Sequence, residues 1–256
     1  MPKFFAPEAA PGARFLVLTG ENAAHARVLR LKAGESVTVC DAKGTDFQCV
    51  ISDIAPEQVS LVVQSEAPSR AEPGVFCSVY MAFAKAEKLE HVVQKATELG
   101  AGEIVAFPSS RCVARLDEKT LAKKLERWQQ VYQRVEHEQG SISRGDPHGG
   151  RLLKKKMHSV QSQKRREAVE RAADCEPPLF PYENEKTQSL RACLSAGGYQ
   201  SVSIMTGPEG GFSEDEVAFA GQNGMKICSL GPRILRCETA PLCALTAVLY
   251  AAGALD

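Results

Sequence analysis

The chain has 256 residues, of which 44% are hydrophobic and 24% charged, and its 31 basic and 31 acidic side chains cancel. This length and composition are typical of a globular protein with one large or two modest domains and exclude disordered and collagen-like chains. The first twenty residues contain no secretory signal, and the longest uncharged stretch, residues 239–255, is shorter than the roughly 20 residues of a membrane helix, so we expect a soluble, cytoplasmic protein.

Nine cysteines and five histidines raise the question of a metal site. The cysteine count is odd, and no two cysteines lie within four residues of each other, so zinc-ribbon and Cys-x-x-Cys patterns are absent. The histidines show no ligand spacing either. Cys77 and Cys228 lie inside apolar runs, which favours buried small hydrophobes. We therefore expect no bound metal.

Residues 1–70 are predicted to form short strands. Phe15–Leu18 and Val37–Asp41 are predicted strands, and the second runs into the turn signal Asp41–Gly44. Apolar and polar residues then alternate twice more, with the apolar positions at Phe47, Cys49, Ile51, Val59, Leu61 and Val63. This pattern predicts a small β-barrel or sandwich, which the linker Ala67–Gly74 closes.

After residue 74 the pattern changes to alternating strands and helices. Val75–Phe83 and Glu103–Phe107 are predicted strands, and Lys85–Leu99 is a predicted amphipathic helix that ends at Gly100. A basic helix follows, with an apolar stripe at Leu121, Leu125, Trp128 and Tyr132. This alternation is typical of an α/β domain with a mainly parallel sheet.

Positive charge is concentrated in one segment. Residues 111–171 carry 16 basic and 8 acidic side chains, a net charge of +8. Such a cluster suits a polyanion partner, but a solvated helical face with a basic loop explains the charge equally well. Residues 140–180 show no sustained periodicity, and we expect a flexible excursion there with a helix near Arg165–Ala173.

Two more strand–helix units follow. Val202–Thr206 and Met225–Leu230 are predicted strands. Ser213 and Glu216 have capping-box spacing at the start of a helix that should end at Asn223-Gly224. Thr239 is the predicted N-cap of the last helix, with Pro241 in its first turn. That helix is apolar on nearly every side, so core residues or a partner subunit must cover it.

Two loops after these strands carry the candidate chemistry, at the edge where open α/β sheets bind ligands. The first, GPEGG at 207–211, exposes backbone amides but is neither GxGxxG nor a phosphate loop, and Glu209 disfavours a pyrophosphate. A neutral or cationic adenine-containing cofactor fits better, although a tight connection remains the alternative. Three charges in the second loop, Arg233, Arg236 and Glu238, favour a functional site, unless Arg236 and Glu238 form an ion pair that fixes the loop.

The motifs MTGPEGGFSEDEV and LGPRILRCETAPLCAL closely resemble those of the bacterial 16S ribosomal RNA (uracil-N3) methyltransferases. These form the ribosomal small subunit methyltransferase E family, within the SPOUT superfamily of S-adenosylmethionine enzymes. The resemblance continues in KATELGAGEIVAFPSSR, KLERW and PYENEKTQSL, and more weakly in HARVLRLKAGE. It covers most of the chain. Residues 148–178 match nothing in that family, and the region 132–178 is where docking of RNA is least supported.

The resemblance implies an α/β protein whose residues 73–256 form a trefoil-knotted SPOUT methyltransferase domain, with a divergent segment at 140–180. It also implies a PUA-like RNA-binding β-barrel at residues 1–70. Family members act as homodimers, use S-adenosyl-L-methionine, and methylate uridine 1498 of 16S rRNA in the small ribosomal subunit. The apolar last helix fits the implied dimer interface. A catalytically impaired RNA-binding or structural relative of the family is the alternative, although intact glycine loops favour the active enzyme.

The resemblance also assigns roles to residues. Arg236 is the candidate to stabilise negative charge on the uracil carbonyls when N3 loses its proton, and Glu238 to hold Arg236 or to receive that proton through water. The predicted cofactor-binding residues are Thr206, Gly207, Pro208, Glu209, Gly210, Gly211, Leu230, Gly231, Ile234, Leu235, Thr239 and Ala240. The predicted phosphate contacts are Arg30, Lys85, Lys88, Lys95, Arg111 and Arg115, each of which is otherwise a plain surface charge.

Overall fold

The computed structural model describes residues 1–41, 45–68, 74–85, 87–139, 158–159 and 165–255. The chain divides into two compact units, one with the described residues up to 68 and the other with residues 74–135 and those from 158 onward. Each unit has its own sheet and its own core. No helix among these residues is long and apolar enough to cross a membrane.

The first unit is built on a mostly antiparallel sheet. Its described strands are in the order β1-β3-β4-β5-β2, and only the β1–β3 pair is parallel. The elements of this unit are β1 (Lys3–Phe5), β2 (Phe15–Thr19), α1 (Gly20–Val28), β3 (Ser36–Cys40), β4 (Thr45–Ile54) and β5 (Gln58–Pro68). The predicted strands are confirmed. Three of the four residues in the predicted Asp41–Gly44 turn, and residues 69–73 of the predicted linker, lie outside the described residues.

The second unit is an α/β sandwich with a parallel six-stranded sheet among its described residues, in the order β11-β9-β10-β6-β7-β8. Its strands are β6 (Phe76–Ala82), β7 (Glu103–Phe107), β8 (His158–Ser159), β9 (Pro178–Pro181), β10 (Ser201–Thr206) and β11 (Lys226–Cys228). Its helices are α2 (Lys88–Glu98), α3 (Glu118–Gln139), α4 (Arg165–Ala173), α5 (Leu190–Cys193), α6 (Glu214–Gln222) and α7 (Ala240–Ala251). The predicted mixed α/β class is confirmed, whereas the trefoil knot stays a prediction.

Both faces of this sheet are buried, which explains the continuous apolar run in β6. Cys77, Val79 and Met81 point to the core beneath α2, α3 and α7. Tyr80 and Ala82 point to the opposite core, beneath α4 and α6. Successive side chains of a strand alternate between faces, so a strand covered on both sides is apolar at nearly every position. The exception in β6 is the buried Ser78, whose hydroxyl donates to the carboxylate of Glu103.

The predicted helix end at Gly100 and the predicted capping box are confirmed. Gly100 ends α2 with φ +92°, and Ser213 and Glu216 form the predicted capping box of α6. The predicted helix at Arg165–Ala173 is α4. Elsewhere in the predicted flexible excursion, the described residues are β8, residues 174–177 and most of β9, and neither strand was predicted. Residues 140–157 and 160–164 lie outside the described ones. Thr239 precedes α7 as expected, but its side chain makes no capping hydrogen bond.

Candidate functional site

A cleft of about 480 Å³ lies at the carboxyl edge of β6, β9, β10 and β11. These four strands are parallel, so the loops that follow them meet at one edge of the sheet. Pockets of this size accommodate molecules as large as a nucleoside cofactor. The lining residues are Lys88, 181–183, 206–212, 229–237 and Ala240.

The loop after β10 is the glycine-rich wall of the cleft, and its local geometry favours those glycines. Gly211 has φ +65°, and a Cβ there would lie 2.5 Å from Oε1 of Glu183. A Cβ on Gly207 would lie 3.2 Å from the carbonyl carbon of Gly211, and one on Gly210 would lie 3.1 Å from the Cβ of Arg111. The loop therefore presents bare backbone to the cleft, and the positive φ of Gly211 and the tight surroundings of Gly207 and Gly210 favour glycine at these positions.

A buried carboxylate fixes the end of this loop. Glu216, only 5% exposed, accepts hydrogen bonds from the N–H of Ser213 at 2.9 Å and from the N–H of Ser110 at 2.8 Å, and it pairs with Arg165 at 2.6 Å. Burial alone would raise the pKa of Glu216, but these donors outweigh it and lower the pKa to about 2. The ionised carboxylate thus ties α6 to the segment after β7 and to α4.

The loop after β11 forms the opposite wall. Gly231 has φ +110°, and its N–H donates to the Ser229 hydroxyl at 3.1 Å. The carbonyl of Arg236 accepts the N–H groups of Thr239 and Ala240, each at 2.9 Å, and this turn leads into α7. Ile234 is 83% exposed, and the Arg236 side chain is also exposed, so both are free to meet a ligand.

The Lys88 ammonium, in the first turn of α2, joins the two walls. It lies 3.2 Å from Oε1 of Glu209 and 3.5 Å from Oε2 of Glu238. Burial would raise the pKa of both carboxyl groups, but nearby N–H donors and the Lys88 ammonium hold each pKa below its ordinary value. Burial alone would lower the pKa of Lys88, but the hydrogen bond to Glu209 and the adjacent negative charges outweigh it and raise the pKa. All three groups are therefore ionised near neutral pH.

Cys237 completes this cluster. Its thiol donates to Oε2 of Glu238 at 3.2 Å. Burial, reinforced by that hydrogen bond and the neighbouring carboxylates, raises the pKa of the thiol to about 12. It therefore stays protonated and acts as a donor rather than as a nucleophile.

The cleft brings together eleven of the twelve predicted cofactor residues, and only Thr239 is outside its lining. Arg236 lines the cleft as well. Glu238 does not lie against Arg236: its carboxylate pairs with Lys88, and among the residues that the structure describes Arg236 has no ion pair. The predicted Arg236–Glu238 pair is thus not observed, because the chain reverses direction in the turn between them and Lys88 is nearer.

Some of the predicted RNA-binding side chains form ion pairs within the protein, and others are exposed. Lys88 is engaged by Glu209 and Glu238, and Lys95 by Glu98 at 2.7 Å. Lys85 and Arg111 lie beside the cleft and are exposed: the N–H of Lys85 donates to Glu209, and the Arg111 guanidinium donates to the carbonyl of Gly210. Two others, Arg115 and Arg30, are exposed, and Arg30 has φ +55°.

Sequence reasoning missed the contribution of β9. Pro181, at the end of this strand, and Tyr182 and Glu183 after it line the cleft. The strand contains two prolines, and prolines argue against an interior strand. Here Pro178 and Pro181 occupy the ends of a four-residue strand, and the N–H of Tyr182 supplies the bond to the carbonyl of Cys228. The apolar character of residues 178–181 was the signal that could have revealed the strand.

Comparison with known proteins identifies the family. Residues 72–141 and 150–249 match the RNA methyltransferase domain, and residues 18–64 match the RNA methyltransferase PUA domain. The ribosomal RNA small subunit methyltransferase E of Bacillus subtilis is 32% identical over 239 residues, which cover 91% of this chain and 89% of the relative. The chain belongs to the ribosomal RNA small subunit methyltransferase E family.

Solved structures of similar proteins share the fold of this chain and so support its membership of the family. A ribosomal RNA small subunit methyltransferase E from Neisseria gonorrhoeae, bound to S-adenosyl methionine, superposes with a TM-score of 0.70 at 26% identity and covers 96% of each chain. A methyltransferase from Legionella pneumophila, solved with bound S-adenosylmethionine, has a TM-score of 0.71 at 26% identity and covers 97% of each chain. The small subunit methyltransferase E fold therefore extends over nearly the whole of this chain, including both of its units.

Proposed function

We propose that this protein transfers a methyl group from S-adenosyl-L-methionine to N3 of a uracil in 16S rRNA of the small ribosomal subunit, at uridine 1498 by family resemblance. The observation that carries the proposal is the cleft between the glycine-rich loop and the loop of Arg233 and Arg236. Named relatives act on ribosomal RNA of the small subunit, and two similar structures hold the same cofactor.

The residues of the cleft fit this cofactor. Bare backbone at Gly207, Gly210 and Gly211 allows close approach of a nucleoside. Three carboxylates at the cleft, Glu183, Glu209 and Glu238, balance its three cations, so the cleft offers no excess of positive charge to a pyrophosphate. The glycine-rich loop and Leu230, Gly231, Ile234, Leu235 and Ala240 would hold the cofactor, with Thr239 at the start of α7 behind them.

The chemical demand on the protein arises from the uracil. Bound S-adenosylmethionine supplies an electrophilic methyl group, but N3 of uracil carries a proton that occupies its lone pair. When that proton leaves, negative charge spreads to the two flanking carbonyl oxygens. The exposed guanidinium of Arg236 would stabilise this charge inside the cleft, where a fixed cation is worth more than in water.

Glu238 retains one of its two predicted roles. Its carboxylate is already paired with Lys88, so holding Arg236 is not supported. Its low pKa keeps it ionised, and it would receive the N3 proton through a water molecule.

RNA would approach the cleft along its basic rim. Lys85 and Arg111 are exposed and contact the glycine-rich loop, and the exposed Arg115 lies four residues after Arg111. Contacts with phosphates would position the RNA, and the target base would have to leave its stack to enter the cleft. Residues 1–70, as a PUA-like unit with Arg30 on its surface, would add further contacts, while residues 73–256 would form the catalytic domain.

A homodimer would complete the assembly. The helix α7 contains no charged residue, and its Ala244, Leu245 and Val248 are buried in the core. Its other face leaves Cys243, Thr246 and Tyr250 exposed in the single chain, and Tyr250 is 74% exposed. A second copy would cover this face, and the protein would act in the cytoplasm, where ribosomal subunits are assembled.

Calorimetric titration with S-adenosylmethionine, followed by methyl transfer to unmodified small ribosomal subunits, tests the proposal. We expect saturable binding of one cofactor per chain and N3-methyluridine at one 16S nucleotide, detected by mass spectrometry of nuclease digests. If folded protein binds no cofactor, the catalytically impaired relative is correct. Binding without methylation of small subunits would exclude the proposed substrate.

A further inference from the structure

Two loops of the cleft, those after β10 and β11, each bring a carboxylate to the ammonium group of Lys88. We propose that Lys88 is a positioning residue for methyl transfer, and that its ion pairs with Glu209 and Glu238 hold the two walls of the cleft at the correct separation. This inference rests on the proposed function and assigns a task to a residue outside the two loops of the family motifs.

Lys88 is well placed to act as a fixed anchor. It belongs to the first turn of α2, whose next residue, Leu89, is 1% exposed and whose Val92 is fully buried in the core. The Lys88 side chain itself is 29% exposed, so the ammonium reaches the cleft while its stem packs along the protein. Because α2 is packed into the core, it holds the Lys88 ammonium in a fixed position between the two loops.

The two carboxylates depend on this ammonium. Their side chains are only 23% and 21% exposed, and both approach the same Nζ atom within 3.5 Å. Without Lys88, two partly buried like charges would face each other. The carboxylate of Glu209 would still accept a hydrogen bond from the N–H of Lys85 at 2.9 Å, and that of Glu238 one from the thiol of Cys237. Neither of these bonds connects the two walls of the cleft.

Each carboxylate is attached to a part of the cleft that matters for the reaction. Glu209 lies inside the glycine-rich loop, between Gly207 and Gly210. Glu238 lies in the turn closed by the hydrogen bonds from Thr239 and Ala240 to the carbonyl of Arg236. A displacement of Glu238 would therefore move the backbone of Arg236, the residue proposed to stabilise the uracil anion.

The same geometry argues against the sequence-based prediction that Lys88 contacts phosphate. Its ammonium is shared by two ionised carboxylates, so the cluster carries net negative charge and repels a polyanion. A phosphate would have to displace both partners. Lys85, three residues earlier and exposed, is the better candidate for that role.

Substitution of Lys88 by Met and by Arg tests the inference, since Met keeps the stem without the charge and Arg keeps the charge. We expect Lys88→Met to weaken cofactor binding about fivefold, the loss typical of partly exposed charged hydrogen bonds. We also expect kcat to fall while KM for small subunits stays unchanged. Lys88→Arg should recover most of both losses. In a double-mutant cycle, the loss of cofactor-binding free energy in Lys88→Met/Glu209→Gln should be smaller than the sum of the losses in the two single variants.

Controls separate this inference from the proposed function. Lys123→Met removes an exposed charge on α3, outside the cleft lining, and serves as the reference for cofactor affinity and thermal midpoint. Wild-type affinity and kcat in Lys88→Met would overturn the positioning role and leave the proposed function intact. A raised KM for subunits with a flatter salt dependence, and no change in cofactor affinity, would also overturn it in favour of a phosphate contact. Failure of wild-type protein to bind cofactor would instead refute the proposed function.

Discussion

The carboxylate of Glu216 accepts both the N–H and the hydroxyl of Ser110, at 2.8 and 2.9 Å, across 106 positions of sequence. The same carboxylate closes the capping box of α6. One buried side chain therefore connects the end of the glycine-rich loop with the segment after β7. Because these bonds require an ionised group, they make the site sensitive to acid.

Glu216→Gln should destabilise the protein at neutral pH. The pKa of Glu216 falls from 4.5 to about 2 on folding, so the ionised form contributes up to roughly 3 kcal/mol at pH 7. A lowered pKa gives stability that is present above pH 4.5 and is lost as the pH falls toward 2. Urea unfolding at several pH values should show a large difference between wild type and variant at pH 7 that shrinks toward pH 3. A constant difference would contradict this account.

Gly211→Ala should close the cofactor site. A Cβ at Gly211 would lie 2.5 Å from Glu183, and φ of +65° already disfavours alanine. We expect cofactor binding to weaken at least tenfold in calorimetry, because the strained backbone of residue 211 and the displaced Glu183 side chain both belong to the lining of the cleft. Gly198→Ala is the matched control, with φ of +69° and open space around its Cβ, and it should bind cofactor normally. Equal losses of cofactor affinity in the two variants would contradict this account, because Gly198 lies outside the cleft lining and such losses would reflect a general loss of stability.

Arg236→Ala should reduce the rate of methylation but not the affinity for cofactor. Removal of a single group that stabilises developing negative charge typically costs on the order of 100-fold in kcat. We expect a loss of this size in single-turnover transfer to small subunits, with the calorimetric Kd for S-adenosylmethionine within about twofold of wild type, and partial recovery in Arg236→Lys. An unchanged rate would exclude the electrostatic role.

Reversal of two rim charges should weaken RNA binding. Lys85 and Arg115 are both exposed, and no ion pair of either is seen within the described ranges. For Lys85→Glu/Arg115→Glu we expect lower affinity for small subunits, and a slope of log K against log salt reduced by about 0.7 for each lost phosphate contact. Cofactor affinity, measured in parallel, should not change. An unchanged salt slope would remove both residues from the RNA surface.

Tyr250→Asp should separate a dimer that forms through α7. The side chain is 74% exposed in the single chain, on the face that the core leaves uncovered. A charge placed there would have to be buried in the dimer without a partner, which costs several kcal/mol. Sedimentation equilibrium should show dimeric wild type and a largely monomeric variant. Monomeric wild-type protein would refute the proposed dimer.

Local chemistry in the sequence determined much of this protein. Several features depend on neighbours within a few residues, so the sequence was sufficient to predict them. They are the apolar run of β6, the helical periodicity of α2, the capping box of Ser213 and Glu216, and the helix stop at Gly100. The glycine-rich loop was recognisable for the same reason. The helix α1 was not predicted, since its buried residues are the alanines Ala23 and Ala26 and produce no apolar stripe.

Only the tertiary structure decided which charges meet. The carboxylate of Glu238 pairs with Lys88 and not with Arg236. The carboxylate of Glu216 accepts a hydrogen bond from Ser110, in addition to the one from its neighbour Ser213. Lys88 and Ser110 are each more than a hundred residues away in the chain from the carboxylate that they contact. Their proximity follows from the strand order β11-β9-β10-β6-β7, which places the loops of distant segments at one edge of the sheet. Ion pairs depend on distance in space, and the order of strands that sets this distance is not encoded in any local pattern of residues.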